Sequence, residues 1–408
     1  MTPVILIVFA LTYVGMAVGR VPGLRVDRTG IALMAVVVLL ATGAIQVADL
    51  GRAIDAPTLL LLFALMIISA QFGAAGFYDW CSAQIAMAQR GPTVLLALTV
   101  GIAGGLSAIL ANDIVVFAMA PLLCKGLKAR GVDPRPFLIA LACAANAGSA
   151  ATLIGNPQNI LIGQTGFLDF WRFLAICAPP AIASLLVIVV VLRVQWHREL
   201  APPPMPARAI EAKLDIWQAD KGLLAVLALV ALFSTDWPRE IGALVIAASL
   251  LMSRRLASRD IVGTVDWHLL VLFACLFTVT LAFTSTGYGD GALRWLQANA
   301  LLPDKLSVLA PLALAGSNTI GNVPAVILLL TVWVAPPPEA LYGLALLSTL
   351  AGNFLIVGSL ANIIVVERAH SVGVKLSFFD HARSGVPITL LTMALGVFWL
   401  WLIGLLPW

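Results

Sequence analysis

Between residues 107 and 121 an otherwise apolar run carries Ser107, Asn112 and the acid Asp113 before it closes at Pro121. No other carboxylate in the chain is set as deep in a hydrophobic segment. An ionised Asp in hydrocarbon costs roughly 2.5–3.5 kcal/mol on insertion scales, so such a residue is expected to face water, an ion or a substrate. Asp113 is therefore a candidate proton-coupling group. The plainer alternative is an Asp hydrogen-bonded to a neighbouring helix for packing alone.

A second constellation interrupts the apolar run 137–163. Gly155-Asn156-Pro157-Gln158-Asn159 places a glycine, a proline and three amides in mid-segment, where proline removes a backbone donor and glycine permits unusual dihedrals. The helix is predicted to unwind there. Exposed helix N-termini favour an anion, whereas freed carbonyls and amide oxygens suit Na+. Gly358-Ser359-Leu360-Ala361-Asn362 answers it inside 338–366 with the same Gly-to-Asn spacing and no proline. Asn146, Thr152 and Asn353 extend the polar lining, and a kink tolerated by neighbouring helices is the bland alternative.

The recurrence is systematic. Ser107 and Asn112 are five apart, as are Ser317 and Asn322, and both members shift by 210. The same offset joins Phe63-Ala64 to Phe273-Ala274, while Asp55 and Asp266 miss it by one. Two structural repeats are expected, 1–192 and 222–408, with Val323 in the second where the first has Asp113. The Pro-rich stretch 193–221, with Pro202-Pro203-Pro204 and Pro206, reads as a cytoplasmic linker.

Composition says what positions these motifs. With 408 residues, 61% hydrophobic and 11% charged, the chain is expected to be an all-α polytopic membrane protein embedded in a lipid bilayer. Its basic residues are scattered over short loops, which argues against nucleic acid as a partner. Five cysteines in apolar segments lack metal-ligand spacing, so neither a disulfide nor a zinc site is expected. A span needs about 20 residues. On that measure helices fall near 3–19, 30–47, 56–76, 137–163 and 171–192, and again near 222–235, 240–253, 267–286, 338–366 and 385–406. Amphipathic pieces at 77–90 and 291–300 precede interrupted runs at 92–124 and 306–333.

With both termini outside, inner loops collect 19 of the 24 Lys and Arg, among them Arg20, Arg25, Arg28, Lys125, Lys128 and Arg368. Each repeat then crosses five times, so the two are inverted. The first apolar run lacks a basic n-region and reads as a retained helix. Residues 92–124 are too few for two spans and a turn, which favours re-entrant hairpins of half-depth helices at 92–124 and 306–333. Their tips are tolerated only where protein or water surrounds them.

The run Ala144 to Asn159, with Asn322-Val323-Pro324-Ala325 and Gly358-Ser359-Leu360-Ala361-Asn362, resembles the ion transporter superfamily. That group includes citrate-transporter-like permeases, divalent anion/sodium symporters, arsenite permeases and a type of sodium/proton antiporter. The resemblance covers nearly the whole chain and implies no enzyme. It implies a bacterial inner-membrane secondary transporter of a small anion (oxyanion or carboxylate), built as a homodimer, with H+ or Na+ as coupling ion and elevator-like alternating access. Arsenite efflux and Na+/H+ antiport are the alternatives. The implied substrate and ion site comprises Ser107, Asn112, Asp113, Thr152, Gly155, Asn156, Asn159, Ser317, Asn318, Asn322, Asn353, Gly358, Ser359 and Asn362, with Na+ near Asn112, Asn159, Asn322 and Asn362.

The chain departs from the dicarboxylate symporters. They carry Ser-Asn-Thr at both tips, where this sequence has Ala111-Asn112-Asp113 and Gly321-Asn322-Val323. The literal Ser317-Asn318-Thr319 lies a turn too early. An acid after the Asn is similar to the arsenite permeases. No Arg or Lys falls in the expected site, and His197, His268, His370 and His381 read as solvated. Ser285-Thr286-Gly287-Tyr288-Gly289-Asp290 imitates a potassium filter, but it follows a full-length helix and its repeat partner lacks it.

Overall fold

The computed structural model describes residues 1–19, 23–24, 26–201, 212–299, 301–333 and 335–408. Arg20, Arg25 and the prolines Pro202-Pro203-Pro204 and Pro206 lie outside the described residues. The described chain is helical without strands, and its elements fall into two series of ten. The first comprises α1 Thr2–Val18, α2 Arg28–Ala41, α3 Val47–Ala53, α4 Ala56–Ala74, α5 Phe77–Met87, α6 Pro92–Ile109, α7 Asn112–Ala129, α8 Arg135–Ser149, α9 Pro157–Thr165 and α10 Phe170–Gln195. The second comprises α11 Ile216–Leu232, α12 Arg239–Leu251, α13 Ser258–Gly263, α14 Trp267–Thr284, α15 Tyr288–Ala298, α16 Leu306–Ile320, α17 Asn322–Val332, α18 Pro338–Ala351, α19 Leu360–Ser371 and α20 Phe378–Leu402.

Local chemistry sets many of the helix starts. Asp27, Asp55, Asp169, Asp215 and Asp266 cap α2, α4, α10, α11 and α14, each carboxylate accepting from a first-turn amide. Asp55 and Asp266 thus hold the same post in the two series at an offset of 211, so the expected match of Phe63-Ala64 with Phe273-Ala274 at 210 falls one residue out of register. Proline opens α6, α8, α9 and α18, where its missing N–H costs nothing.

The two series interlock. α2 packs on α14 and α12 packs on α4, while α10 packs along α20. Such reciprocal pairing is what an internal two-fold produces, since each half presents the same surface to the other. Among the described residues five helices, α4, α6, α10, α14 and α20, are long and apolar enough to cross a membrane. In each half the hairpin's first arm packs against the helix that precedes the break: α6 on α8, and α16 on α18.

Two expectations change here. The arms α6 and α7 have 18 residues each, about 27 Å at 1.5 Å per residue, longer than half-depth helices. The arms α16 and α17 are shorter, at 15 and 11 residues. His381 is not solvated: it is buried in the first turns of α20, its Nε2 3.1 Å from the Asn353 carbonyl.

Candidate functional site

Both mid-helix breaks are real and built alike. The chain stops being helical after Ser149 and resumes at Pro157; it stops after Ala351, passes through a 3-10 turn at Ile356–Gly358 and resumes at Leu360. Asn159 Nδ2 donates to the carbonyls of Ser149 and Thr152 at 3.2 and 3.0 Å; Asn362 Nδ2 donates to those of Gly352 and Leu355 at 2.8 and 3.0 Å. Each asparagine thus reaches back ten and seven residues to satisfy carbonyls that a continuous helix would have paired.

The breaks are also tied to each other reciprocally. Asn146 Nδ2 donates to Asn362 Oδ1 at 3.1 Å, and its counterpart Thr349 Oγ1 donates to Asn159 Oδ1 at 3.3 Å. Ser359 Oγ donates to Asn146 Oδ1 at 2.9 Å, and Asn156 Nδ2 to Thr349 Oγ1 at 3.4 Å. Residue i of one half meets j of the other, and the reverse holds, the pattern that an internal two-fold would produce. Asn353 joins it, accepting from Asn146 Nδ2 at 2.9 Å and donating to the Cys143 carbonyl at 3.2 Å.

Beside the core lies a cavity of about 510 Å3. Four helices begin at its wall. Asn112 and Asp113 open α7, Asn322 and Val323 open α17, Pro157 and Gln158 open α9, and Ser359 precedes Leu360 at the start of α19. The opposite wall comes from Val18, Gly19, Asp27, Arg28 and Thr29 around the start of α2, and from Asp266, His268, Leu269 and Leu272 of α14. Thr29 Oγ1 donates to the His268 carbonyl at 3.2 Å, joining the two parts of that wall.

Of the expected site residues, the structure brings Asn112, Asp113, Asn322 and Ser359 to the cavity. It does not bring Asn159 and Asn362 there, because their amides are used inside the breaks. Asn156 caps α9 through Asn159 N at 2.9 Å. Gly155 serves close approach: a Cβ there would stand 2.6 Å from Ser149 Cα and 2.7 Å from the Ser107 carbonyl. A Cβ on Gly358 would strike the Asn318 amide oxygen. Thr152 Oγ1 donates to the Ala108 carbonyl at 2.5 Å, Ser317 Oγ to that of Ser348 at 3.2 Å, and Asn318 Nδ2 to those of Leu314 and Ala351 at 2.9 Å.

Ser107 Oγ and Asn112 Oδ1 are buried oxygens without a hydrogen-bond partner among the described residues. Oxygen atoms of this kind are the donors that a hard cation takes. Among the described residues no three His, Cys, Asp or Glu are grouped to hold another metal.

The citrate transporter family matches residues 4–341. The chain belongs to the citrate transporter family. A 46 kDa membrane protein of Mycobacterium leprae (strain TN) is 28% identical over 429 residues, spanning 98% of this chain and 99% of that one. A silicon efflux transporter of Oryza sativa subsp. japonica is 25% identical over 455 residues, spanning 92% and 93%. The crystal structure of the Alcanivorax borkumensis YdaH transporter shares the fold, with a TM-score of 0.55 at 14% identity over 99% of this chain and 98% of that one. This member of the citrate transporter family is a multi-pass membrane transporter and not an enzyme.

Sequence reasoning missed the outer wall of the family member's cavity. Asp27, Arg28, Asp266 and His268 sit at or next to helix starts, where charges are ordinary, and Glu367 lies two turns into α19. The expectation that no Arg lies at the site is corrected by Arg28. One signal was available: Asp266 repeats Asp55 ahead of a matched apolar helix. The filter-like Ser285 to Asp290 is a tight turn into α15, with Gly287 at φ 76° and the Thr286 hydroxyl bonded back to the Phe283 carbonyl, so it presents no row of carbonyls.

Proposed function

We propose that this protein is a secondary active transporter of a small anion, an oxyanion or carboxylate, coupled to H+ or Na+ and working by alternating access. The observation that carries the reading is the meeting of four helix N-termini, those of α7, α9, α17 and α19, on one cavity. Each N-terminus is equivalent to about half a positive charge, so four create an anion site from backbone alone. Asp113 stands among them. Protonated, it leaves that positive field intact; ionised, it opposes the anion and favours a cation at Ser107 and Asn112. Gain or loss of one proton thereby changes which charge the site holds.

The hairpins and broken helices form one wall and the α2 and α14 starts the other, a division that suits elevator-like movement of the first against the second. Five crossings per half, inverted repeats, a homodimer and a bacterial inner-membrane setting with both termini outside belong to the same proposal. Purified protein in proteoliposomes tests it. Uptake of citrate, phosphate or arsenate is expected to saturate and to vanish when an ionophore dissipates the imposed gradient. Unitary currents in a planar bilayer would replace the carrier with a channel.

A second reading is efflux of a weak oxyacid such as arsenite or silicic acid. Asp113 favours it, because a fixed negative charge among the N-termini suits a solute that crosses uncharged. The rice relative's name points the same way. Counterflow of arsenite exceeding that of citrate would select it, and Na+-dependent proton flux without either solute would select a Na+/H+ antiporter.

A further inference from the structure

The two sides of the pseudo-two-fold are in different states. When α4, α9 and α2 are set on α14, α19 and α12 by their first residues, Leu61, Leu153, Ile160, Gln164 and Arg28 correspond to Leu272, Ile356, Ile363, Glu367 and Arg239. Leu272, Ile356, Ile363, Glu367 and Arg28 all line the large cavity. Their counterparts Leu61, Leu153, Ile160, Gln164 and Arg239 line a crevice with no room for a water molecule. One set of positions thus encloses a cavity on one side and is shut on the other.

The two arginines, each the first residue of its helix, differ accordingly. Arg239 Nη2 donates to the Leu168 carbonyl at 2.7 Å, and its guanidinium carbon lies 5.1 Å from the Phe233 ring centre. Next to it Gln164 Nε2 is 3.5 Å from Glu240 Oε2. These contacts fasten the α12 start to the end of α9 and the approach to α10. Arg28, half-buried at the cavity wall, makes one hydrogen bond among the described residues, from Nε to the Met16 carbonyl at 3.1 Å. Its two terminal nitrogens make no hydrogen bond to the described residues, and the residue lines the cavity. Leu168 precedes the cap of α10 as the buried Leu376 precedes the cap of α20, so Leu376 is the acceptor that the two-fold assigns to Arg28.

We propose that Arg28 and Arg239 are paired gate arginines that exchange roles: on the closed side the guanidinium is latched to a backbone carbonyl, and on the open side it faces the incoming anion. The proposal rests on the alternating-access reading above. In the opposite state Arg28 donates to the Leu376 carbonyl, Thr29 meets Glu367 as Glu240 meets Gln164, and Arg239 turns to the newly opened cavity. Arginine suits both duties because its planar fork can pin one edge to the helix and offer the other to a carboxylate or oxyanion.

Labelling of reporter cysteines with a membrane-impermeant maleimide tests the exchange in the full chain without any substrate, against a background of five buried cysteines. Val357→Cys reports the open side and its counterpart Ile154→Cys the shut one. Arg239→Gln is expected to slow Val357→Cys labelling at least fivefold and to speed Ile154→Cys labelling, because the latch of the present state is lost. Arg28→Gln is expected to act oppositely, holding Val357→Cys labelling high and depressing that of Ile154→Cys. Equal shifts of both reporters, or none, would overturn the exchange. If Arg239→Gln does not fold, Arg239→Lys, which keeps a donor but not the fork, takes the same readout. For the anion-facing duty, Arg28→Gln is expected to raise the half-saturating citrate concentration at least fivefold in proteoliposomes; an unchanged value refutes that duty. Failure of the wild-type protein to carry citrate or any other anion bears on the proposed function alone, since the labelling stands without it.

Discussion

The two hairpins meet their broken helices by different physical means. In the first half the backbones of α6 and α8 touch: a Cβ on Gly148 would collide with the Gly104 carbonyl, and the space beside Gly104 is filled by Leu185. In the second half the corresponding positions are Leu314 and Ala351, and an amide does the joining. Asn318 Nδ2 donates to both of those carbonyls at 2.9 Å, while its Oδ1 accepts from Leu355 N at 3.1 Å. Contact between bare backbones leaves no side chain that can change rotamer, so the first hairpin is fixed to its break. An amide bridge can lengthen and re-form. The asymmetry extends to the tips, where the rigid hairpin carries the charge, Asp113, and the bridged one carries Val323.

Substitution at the glycine contact is the harshest way to break this comparison. Gly148→Val places two methyl groups where the α6 backbone runs, and overpacking against backbone costs about 3 kcal/mol or more. Loss of monodisperse protein on gel filtration is expected, whereas Ala351→Val in the second half leaves folded protein that melts only a few degrees lower.

Asp113→Asn removes the charge difference between the tips. Proton-driven transport is expected to fall at least tenfold and the pH dependence of the remaining flux to flatten. Uptake unchanged across pH would remove Asp113 from the coupling role. The converse variant, Val323→Asp, adds a second acid to the cavity and is expected to lower anion uptake further at neutral pH than at acid pH, since protonation relieves the like-charge pair.

Asn318→Ala tests the bridge. It deletes two donated bonds and leaves the half-buried Leu355 amide without its acceptor, a loss of about 1–3 kcal/mol, readable as a lower melting temperature. The smallest expected effect is that of Thr152→Val, which removes one side-chain bond to the Ala108 carbonyl at about 1 kcal/mol; a larger loss than that of Asn318→Ala would reverse the ranking of the two junctions.

Much of this was legible in the residues. Gly155 to Asn159 announces its own break, because proline and glycine act on the chain locally wherever they stand. The 210-residue recurrence of Ser107 and Asn112 located both tips, and the structure starts α7 and α17 at the two asparagines. Less legible was what the amides do. Asn159 and Asn362 read as ion ligands and prove to be struts across the breaks, since a side chain's partners depend on carbonyls that only the unwound backbone exposes. Arg28 and Asp266 were passed over because a charge at a helix start resembles an ordinary cap until the opposite wall is known.

Hydropathy, helix punctuation and repeat spacing by themselves determined a helical membrane protein in two matched halves, each with a hairpin and a broken helix, because those properties act over a turn or two of chain. Which polar groups meet across the halves, and which of two equivalent sides is open, was decided only by tertiary structure. An internal two-fold makes both sides possible from one sequence; the packed arrangement has to choose, and here it latches Arg239 and leaves Arg28 at the cavity.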